Sequence, residues 1–454
     1  MTSLWDAPVS RRRLLSRAVT GAALLTPISG LASPALAQAT RPARPLPATQ
    51  FDGAVPGAWF DLALRLIKGT PGYSPPVASR ALGCLGVGLY ESLVPGIPGH
   101  VSLSGVLRDL PPMPRDGDVA AYHWPSVANA ALAAMTRSLF RTAPAALQAD
   151  IDELEARLHG DAPRGVLLRS VDRGREIAAA VDGWSRNDGG HEGYLRNFPS
   201  DYSPPAGVGL WEPTLPALLP ALQPYWGRNR CMALDRALTC DPGPPLPFSI
   251  DQDSAFFAEA LEVYETVNDL TPAQREIALF WSDDPGQTAT PPGHSVAILG
   301  QLLRAKDSSL ADAAVAYARL GIAVCDAFIS CWSVKYTHNV VRPISYIRTH
   351  IDPTWGDPLP LTTPPFPEYT SGHSVQSAAA AEVLSATFGD TAFTDHTHDA
   401  RGLASRSFDS FAAFAEEAAI SRLYGGIHFR SAIELGLEQG RCVGAVVAAL
   451  PMRR

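Results

Sequence analysis

Between Lys335 and His428 the chain carries Lys335 and Arg342, then Ser371-Gly372-His373, then Arg422 and His428. Three cations beside a hydroxyl, a glycine amide and two imidazoles suit a tetrahedral oxyanion. The cations neutralise charge, and small residues let backbone N–H groups approach closely. His373 has the side chain that takes or gives a proton near neutral pH. His428 can bond the anion's central atom, as a nucleophile toward phosphorus or as a ligand of a metal oxyanion. Phosphoryl transfer and vanadate chemistry both meet this description.

Each cluster needs an element to position it. An apolar helical run over Leu310–Val334 ends at Lys335. Pro343 then breaks the helical pattern, so Arg342 falls in a turn rather than on a solvated helix face. The extended run Pro364-Pro365-Phe366-Pro367-Glu368-Tyr369-Thr370 delivers Ser371 to the start of an Ala-rich helix, Ser374–Phe388. Amides and dipole at that helix N-terminus favour an anion. A helix over Ser410–Tyr424 carries Ser421 and Arg422, and Gly425-Gly426 allow a sharp return of His428 toward Arg422.

The rest of the pattern is helical almost throughout. Trp59, Leu62 and Leu66 keep three-and-four spacing, as do Ala81-Leu82-Leu85-Leu89 and Leu132-Met135-Leu139. Further helices fit Leu147–Leu158, Val166–Trp184, Ser254–Val267, Pro272–Trp281, Ser295–Leu303 and Ser431–Ala449, with Thr271 as an N-cap. No clear period-two strand is found. The expected fold class is all-α: a helical bundle, or two bundles packed together. The Gly- and Pro-rich excursion 187–247, with Trp211, Tyr225 and Trp226, either caps a functional region or links two helical halves.

With 454 residues, 46% hydrophobic, 18% charged and net charge −8, the composition is that of a soluble globular protein. No long basic run supports a nucleic-acid face. Residues 1–37 read as a twin-arginine signal peptide: Arg11-Arg12-Arg13, an apolar stretch from Ala18 to Leu31, and the cleavage pattern Ala35-Leu36-Ala37. The mature protein, 38–454, is expected in the periplasm or secreted, free of the membrane after cleavage, with Ala-rich faces that permit a homodimer. Cys84, Cys231, Cys240, Cys325, Cys331 and Cys442 form no metal spacing and are expected as isolated buried thiols, with Cys231–Cys240 the alternative pair.

Lys335-x6-Arg342-Pro343, Ser371-Gly372-His373 and Ser421-Arg422-x5-His428 resemble the signature of the type 2 phosphatidic acid phosphatase superfamily. That superfamily includes bacterial acid phosphatases, lipid phosphatases and the vanadium-dependent haloperoxidases. Trp281-Ser282-Asp283-Asp284 and Thr290-Pro291-Pro292-Gly293-His294 resemble a segment of the bacterial haloperoxidase-like branch. The resemblance implies that Lys335, Arg342, Ser371, Gly372 and Arg422 bind the oxyanion, that His428 is the axial vanadium ligand, and that His373 is the acid/base. Trp332 and Phe366 match aromatic positions lining the vanadate pocket, and His294 joins them as a pocket-facing candidate.

The implied activity is oxidation of bromide or iodide by hydrogen peroxide, with vanadate as cofactor and a small organic acceptor. The alternative is a periplasmic acid phosphatase that works through a phosphohistidine at His428. Thr370 stands where the motif usually has proline, and Ala432 where it often has an aspartate that orients the histidine. Asp283, Asp284 and Glu434 are the candidates to replace that carboxylate.

Overall fold

The computed structural model describes residues 46–115, 122–356 and 359–454. The signal-peptide segment lies outside the described residues. Among these residues the first helices are α1 (Ala54–Gly69), α2 (Pro75–Leu93), α3 (Trp124–Leu139), α4 (Ala145–Arg157) and α5 (Arg164–Ser185). After the Gly/Pro-rich excursion come α6 (Ala255–Asn268), α7 (Pro272–Phe280), α8 (Thr290–Ala305), α9 (Leu310–His338) and α10 (Pro343–His350). The last are α11 (Gly372–Phe388), α12 (Phe411–Tyr424) and α13 (Arg430–Ala448). The all-α expectation holds, with one addition: β1 (Phe393–Asp395) pairs antiparallel with β2 (Arg406–Phe408).

Helix α9 is the central element. Ser309 caps it with Asp312 in a reciprocal capping box, and Asn339 ends it in the left-handed region. Its apolar residues are buried on every side, as expected of a helix without a polar face. Both α2 and α9 are long and apolar enough to cross a membrane, yet 94% and 89% of those stretches are buried inside the protein. The helix runs one turn beyond Lys335, so that residue sits inside the last turn and not at the end. Pro343 occupies the first position of α10, where its missing N–H costs nothing, and Arg342 is the residue before it.

Helix α11 lies against α9, α12 and α13, and its alanines are small enough to let all three close in. Gly436, Gly440 and Gly444 repeat every four residues along α13 and face α11. A Cβ at Gly440 would lie 2.2 Å from the Val375 carbonyl oxygen. The two backbones therefore touch, and the Ser371 amide donates to the Ala432 carbonyl at 2.9 Å. That close approach fixes the start of α11.

The excursion 187–247 packs over α9 and the proline-rich run. The Asp326 carboxylate of α9 accepts the Met232, Ala233 and Leu234 amides at 2.6, 2.8 and 2.9 Å. The Leu222 amide donates to Pro365 at 2.8 Å, and the Leu222 carbonyl accepts from Trp332 and Tyr336. One large apolar core runs from Ala48 to Met452, and a smaller one lies under α6, α10 and α12.

The cysteine reading needs correction. Cys240 and Cys442 form a disulfide between partners 202 residues apart, while Cys231 is a buried free thiol. Sequence proximity favoured the wrong partner, because the excursion folds back onto α13. Cys442→Ser is expected to lower unfolding free energy by about 2–5 kcal/mol, read by chemical denaturation with and without reductant.

Candidate active site

A cavity of about 250 Å³ opens where the excursion, the 281–285 turn, the proline-rich run and α11 meet. Its floor is formed by Gly372, His373, Arg422 and His428, and Trp332 and Phe366 stand in its wall. The wall is otherwise mostly proline and leucine, with Thr214, Ser282, Asp283, Asp284, Thr362 and Thr363 as polar exceptions. Lys335, Arg342 and Ser371 are fully buried directly behind the floor. The three sequence clusters therefore converge.

His428 is the best-defined member. Its Nδ1 lies 2.8 Å from Glu368 Oε1, which also accepts the Phe429 amide at 2.9 Å. Its Nε2 lies 3.2 Å from Arg342 Nη1, which can only donate. The proton is therefore on Nδ1, and Nε2 presents a lone pair. Burial, then the nearby Arg342, Lys335 and Arg422, hold the His428 pKa well below the usual range, so the ring is neutral.

Glu368 replaces the missing carboxylate at Ala432, and it was none of the residues considered for that part. Asp283 and Asp284 stand in the cavity wall, and Glu434 is an exposed partner of Arg430. Burial pushes Glu368 up to about 7, against the pull of Arg342, Lys335 and the Phe429 amide. The available signal was a lone acid inside an apolar, proline-rich run.

Lys335 Nζ donates to the Pro367 and Glu368 carbonyls at 2.9 Å each and lies 5.0 Å from the Phe366 ring centre. Burial lowers its pKa to about 7, with Cys331 and Glu368 opposing that shift and Arg342 adding to it. Arg342 donates from Nε to Phe366 at 2.8 Å and from Nη1 to Ile427 at 2.8 Å, and its buried Nη2 has no partner. Arg422 donates from Nη2 to the Trp281 carbonyl at 2.7 Å and from Nε to Ser421 at 3.0 Å. Ser371 caps α11 by accepting the Ser374 amide, which leaves its own O–H to donate.

His373 lines the cavity from the first turn of α11, and its buried Nε2 has no hydrogen-bond partner among the described residues. Burial, and next Arg422, hold its pKa well below the usual range.

His294 departs from expectation. It does not line the cavity. Helix α8 begins at Thr290, earlier than the apolar periodicity indicates, and turns His294 into the core behind the 281–285 turn. There Nδ1 meets Asp283 and Nε2 meets Asp395, each at 2.7 Å. Against burial, these two carboxylates raise its pKa to about 10, so both nitrogens donate from an imidazolium. His398 Nε2 faces Asp283 Oδ1 at 3.4 Å. Donor atoms of Asp283, His294 and His398 lie within 4.8 Å of one another, a spacing a metal ion can bridge. Both His294 nitrogens are, however, already spent on carboxylates.

Comparison with known proteins places this arrangement. Residues 315–453 match the family model for the second helical-bundle domain of VCPO. The vanadium chloroperoxidase of Curvularia inaequalis is 28% identical over 137 residues, which span 25% of this chain and only 22% of that protein's length. The crystal structure of a bacterial vanadium-dependent iodoperoxidase superposes with a TM-score of 0.79 at 36% identity, covering 87% of this chain and 96% of that one. The chain belongs to the vanadium-dependent haloperoxidase family.

A bacterial vanadium-dependent chloroperoxidase shares the haloperoxidase fold at 16% identity, with a TM-score of 0.65 over 83% of this chain and 94% of that one. In this chain the unpartnered Arg342 Nη2 and the lone pair of His428 Nε2 fit an oxyanion cofactor. Its cation set is Lys335, Arg342 and Arg422, each buried and none paired directly with a carboxylate at hydrogen-bond distance.

Proposed function

We propose that this haloperoxidase uses vanadate to oxidise halide with hydrogen peroxide, releasing hypohalous acid to a small organic acceptor. The observation that carries the reading is His428, a neutral imidazole whose Nδ1–H is spent on Glu368 and whose Nε2 lone pair is available. His428 would ligate vanadate through Nε2, and Lys335, Arg342, Arg422, Ser371 and the Gly372 amide would bind its oxygens. Bound there, vanadate supplies Lewis acidity toward hydrogen peroxide without a change of oxidation state.

The chain's own residues do the remaining work. Arg342 exchanges its bond to His428 Nε2 for a charged bond to an anion oxygen, at little net cost. Lys335 has one N–H beyond those given to Pro367 and Glu368, and directs it at the same anion. His373 would take the proton that hydrogen peroxide loses and return it to the departing water. The net reaction consumes one halide, one peroxide and one proton. The O–O bond breaks, the halide loses two electrons, and hypohalous acid and water form. The phosphatase alternative would start from a protonated His373 as leaving-group acid, a form that burial and Arg422 disfavour in the free protein.

The test is halide oxidation by the mature protein, purified without phosphate and assayed before and after orthovanadate, beside p-nitrophenyl phosphate hydrolysis. Iodide comes first, because the bacterial relative is an iodoperoxidase, and bromide second. Vanadate-dependent oxidation is the expected result. Phosphatase turnover that vanadate inhibits, with no halide oxidation, would make the chain a phosphatase. Export after cleavage at Ala37 belongs to the same proposal, and N-terminal sequencing of the exported protein checks it.

The buried cations also predict a pH dependence of anion binding. An anion favours the ammonium form of Lys335, which in the free protein is lost above about 7. Glu368 ionises in the same range and then repels an anion, so both signs agree. Sulfate keeps one charge state here. Its association constant is expected to be level in mild acid and to fall about tenfold per pH unit for each group above neutrality. Calorimetric titration between mild acid and mild base measures it.

A further inference from the structure

The cavity floor accounts for the halide chemistry, but most of the wall does not. Halide, hydrogen peroxide and an oxyanion are polar or charged, and none of them gains from apolar surface. Yet Phe328, Trp332 and Phe366 line this cavity, with successive ring centres 5.3 and 4.9 Å apart. On the excursion side Leu215, Leu219 and Leu222 line it as well. Leu215 and Leu219 are 53% and 43% exposed, whereas Leu222 is buried, so this strip runs from solvent into the cavity. Leucines held in water at the mouth of a cavity mark a surface that something apolar covers. The strip is also fixed in place. The Leu218 amide donates to the Thr214 carbonyl at 3.0 Å, and the Leu222 amide to Pro365 at 2.8 Å. The Leu222 carbonyl accepts from Trp332 Nε1 at 3.2 Å, which joins the leucine strip to the aromatic wall. Leu219 lies three residues from Leu222, at most about 11 Å along an extended chain. The space suffices for a ring: the cavity holds about 250 Å³, and about 150 Å³ lined by such side chains is enough for benzene.

We propose that the apolar part of this cavity is a binding site for an electron-rich aromatic acceptor, which is halogenated there before hypohalous acid escapes to solvent. Leu215 and Leu219 receive the ring at the mouth, and Phe328, Trp332 and Phe366 pack against it further in. An aromatic wall favours a ring over an alkyl chain, because offset and edge-on contacts add to its burial. The ring's π electrons attack the halogen of hypohalous acid. The carbon–halogen bond forms as the halogen–oxygen bond breaks, and the displaced ring proton leaves with the hydroxide as water. Halogenation in the cavity rests on the haloperoxidase reading, whereas binding of the ring is measurable without turnover.

The experiment uses the mature protein loaded with orthovanadate and α-naphthol as the probe, whose fluorescence reports binding. Without halide or peroxide, α-naphthol is expected to bind saturably. With both present, the ortho-to-para ratio of the halogenated product is expected to differ severalfold from that given by reagent hypohalous acid in the same buffer. The double variant Leu215→Asp, Leu219→Asp places charge on two half-exposed side chains. It is expected to weaken α-naphthol binding about tenfold, the worth of a partly buried leucine, and to return the product ratio to the reagent value. A wild-type product ratio equal to that of the reagent would overturn the site, even where binding is seen. So would a folded double variant with wild-type binding and product ratio. If the double variant does not fold, Leu219→Ser decides by the same two readouts. If wild type oxidises no halide, the proposed activity fails and binding decides alone: saturable binding that the variant weakens keeps the ring site, and its absence overturns it.

Discussion

His428→Ala is expected to reduce vanadate-dependent halide oxidation to the protein-free rate, while sulfate still binds. The two outcomes separate because they depend on different groups. The cations Lys335, Arg342 and Arg422 remain, so an oxyanion still finds charge compensation. Nitrogen ligation does not remain, because the described residues offer no other neutral imidazole at that place. His373 cannot substitute. It stands in the first turn of α11, whose backbone is held by its close packing on α13. The variant also removes the acceptor for Arg342 Nη1, which keeps its bond to Ile427. A stability loss of about 1–3 kcal/mol is expected from that lost partner and the space left behind. Vanadate titration followed by halide oxidation, beside calorimetric sulfate binding, measures both. Substantial vanadate-dependent turnover in this variant would remove His428 from its proposed place.

Much of the site was legible because its residues report their own local structure. Ser371 precedes small residues and an alanine run, and such a serine is an N-cap wherever the helix packs. Arg342 precedes Pro343, and proline at a helix start is a local preference that tertiary contacts reinforced. Lys335 was placed within a turn of its true position, because α9 is apolar all round and has no polar stripe to mark its end.

What stayed hidden was long-range pairing. Glu368 meets His428 across 60 residues, and Cys240 meets Cys442 across 202. Neither pair has a spacing signal. Their proximity is set by how α13 packs on α11 and how the excursion folds over α9. His294 was misplaced for the same reason. Its motif neighbours Pro291 and Asp283 do line the cavity, but the helix turns the histidine the other way, toward an Asp395 supplied by a short β pair.

The substitution of Glu368 for the usual aspartate gives the second large prediction, Glu368→Gln. A carboxylate at position 432 would come from the first turn of α13, just after His428, whereas Glu368 reaches His428 from the separate proline-rich run. One oxygen, Oε1, accepts both the His428 Nδ1–H and the Phe429 amide. Glutamine keeps the shape and can keep one acceptor on that spot, so the protein should fold. It removes the negative charge that raises the basicity of Nε2. It also leaves Lys335 and Arg342 without the carboxylate that offsets their buried charge, which lowers the fraction of Lys335 that is protonated. Vanadate affinity is expected to fall about 10- to 100-fold, the range found for lost partners of ligating histidines. Glu368→Ala should cost more, because Nδ1–H and the Phe429 amide are then both left buried without an acceptor. Sulfate affinity offers the internal control, since it depends on the cations and not on Nε2. It should change less than vanadate affinity in Glu368→Gln. Equal losses for both anions would mean that Glu368 acts only by holding the cations, and not through His428.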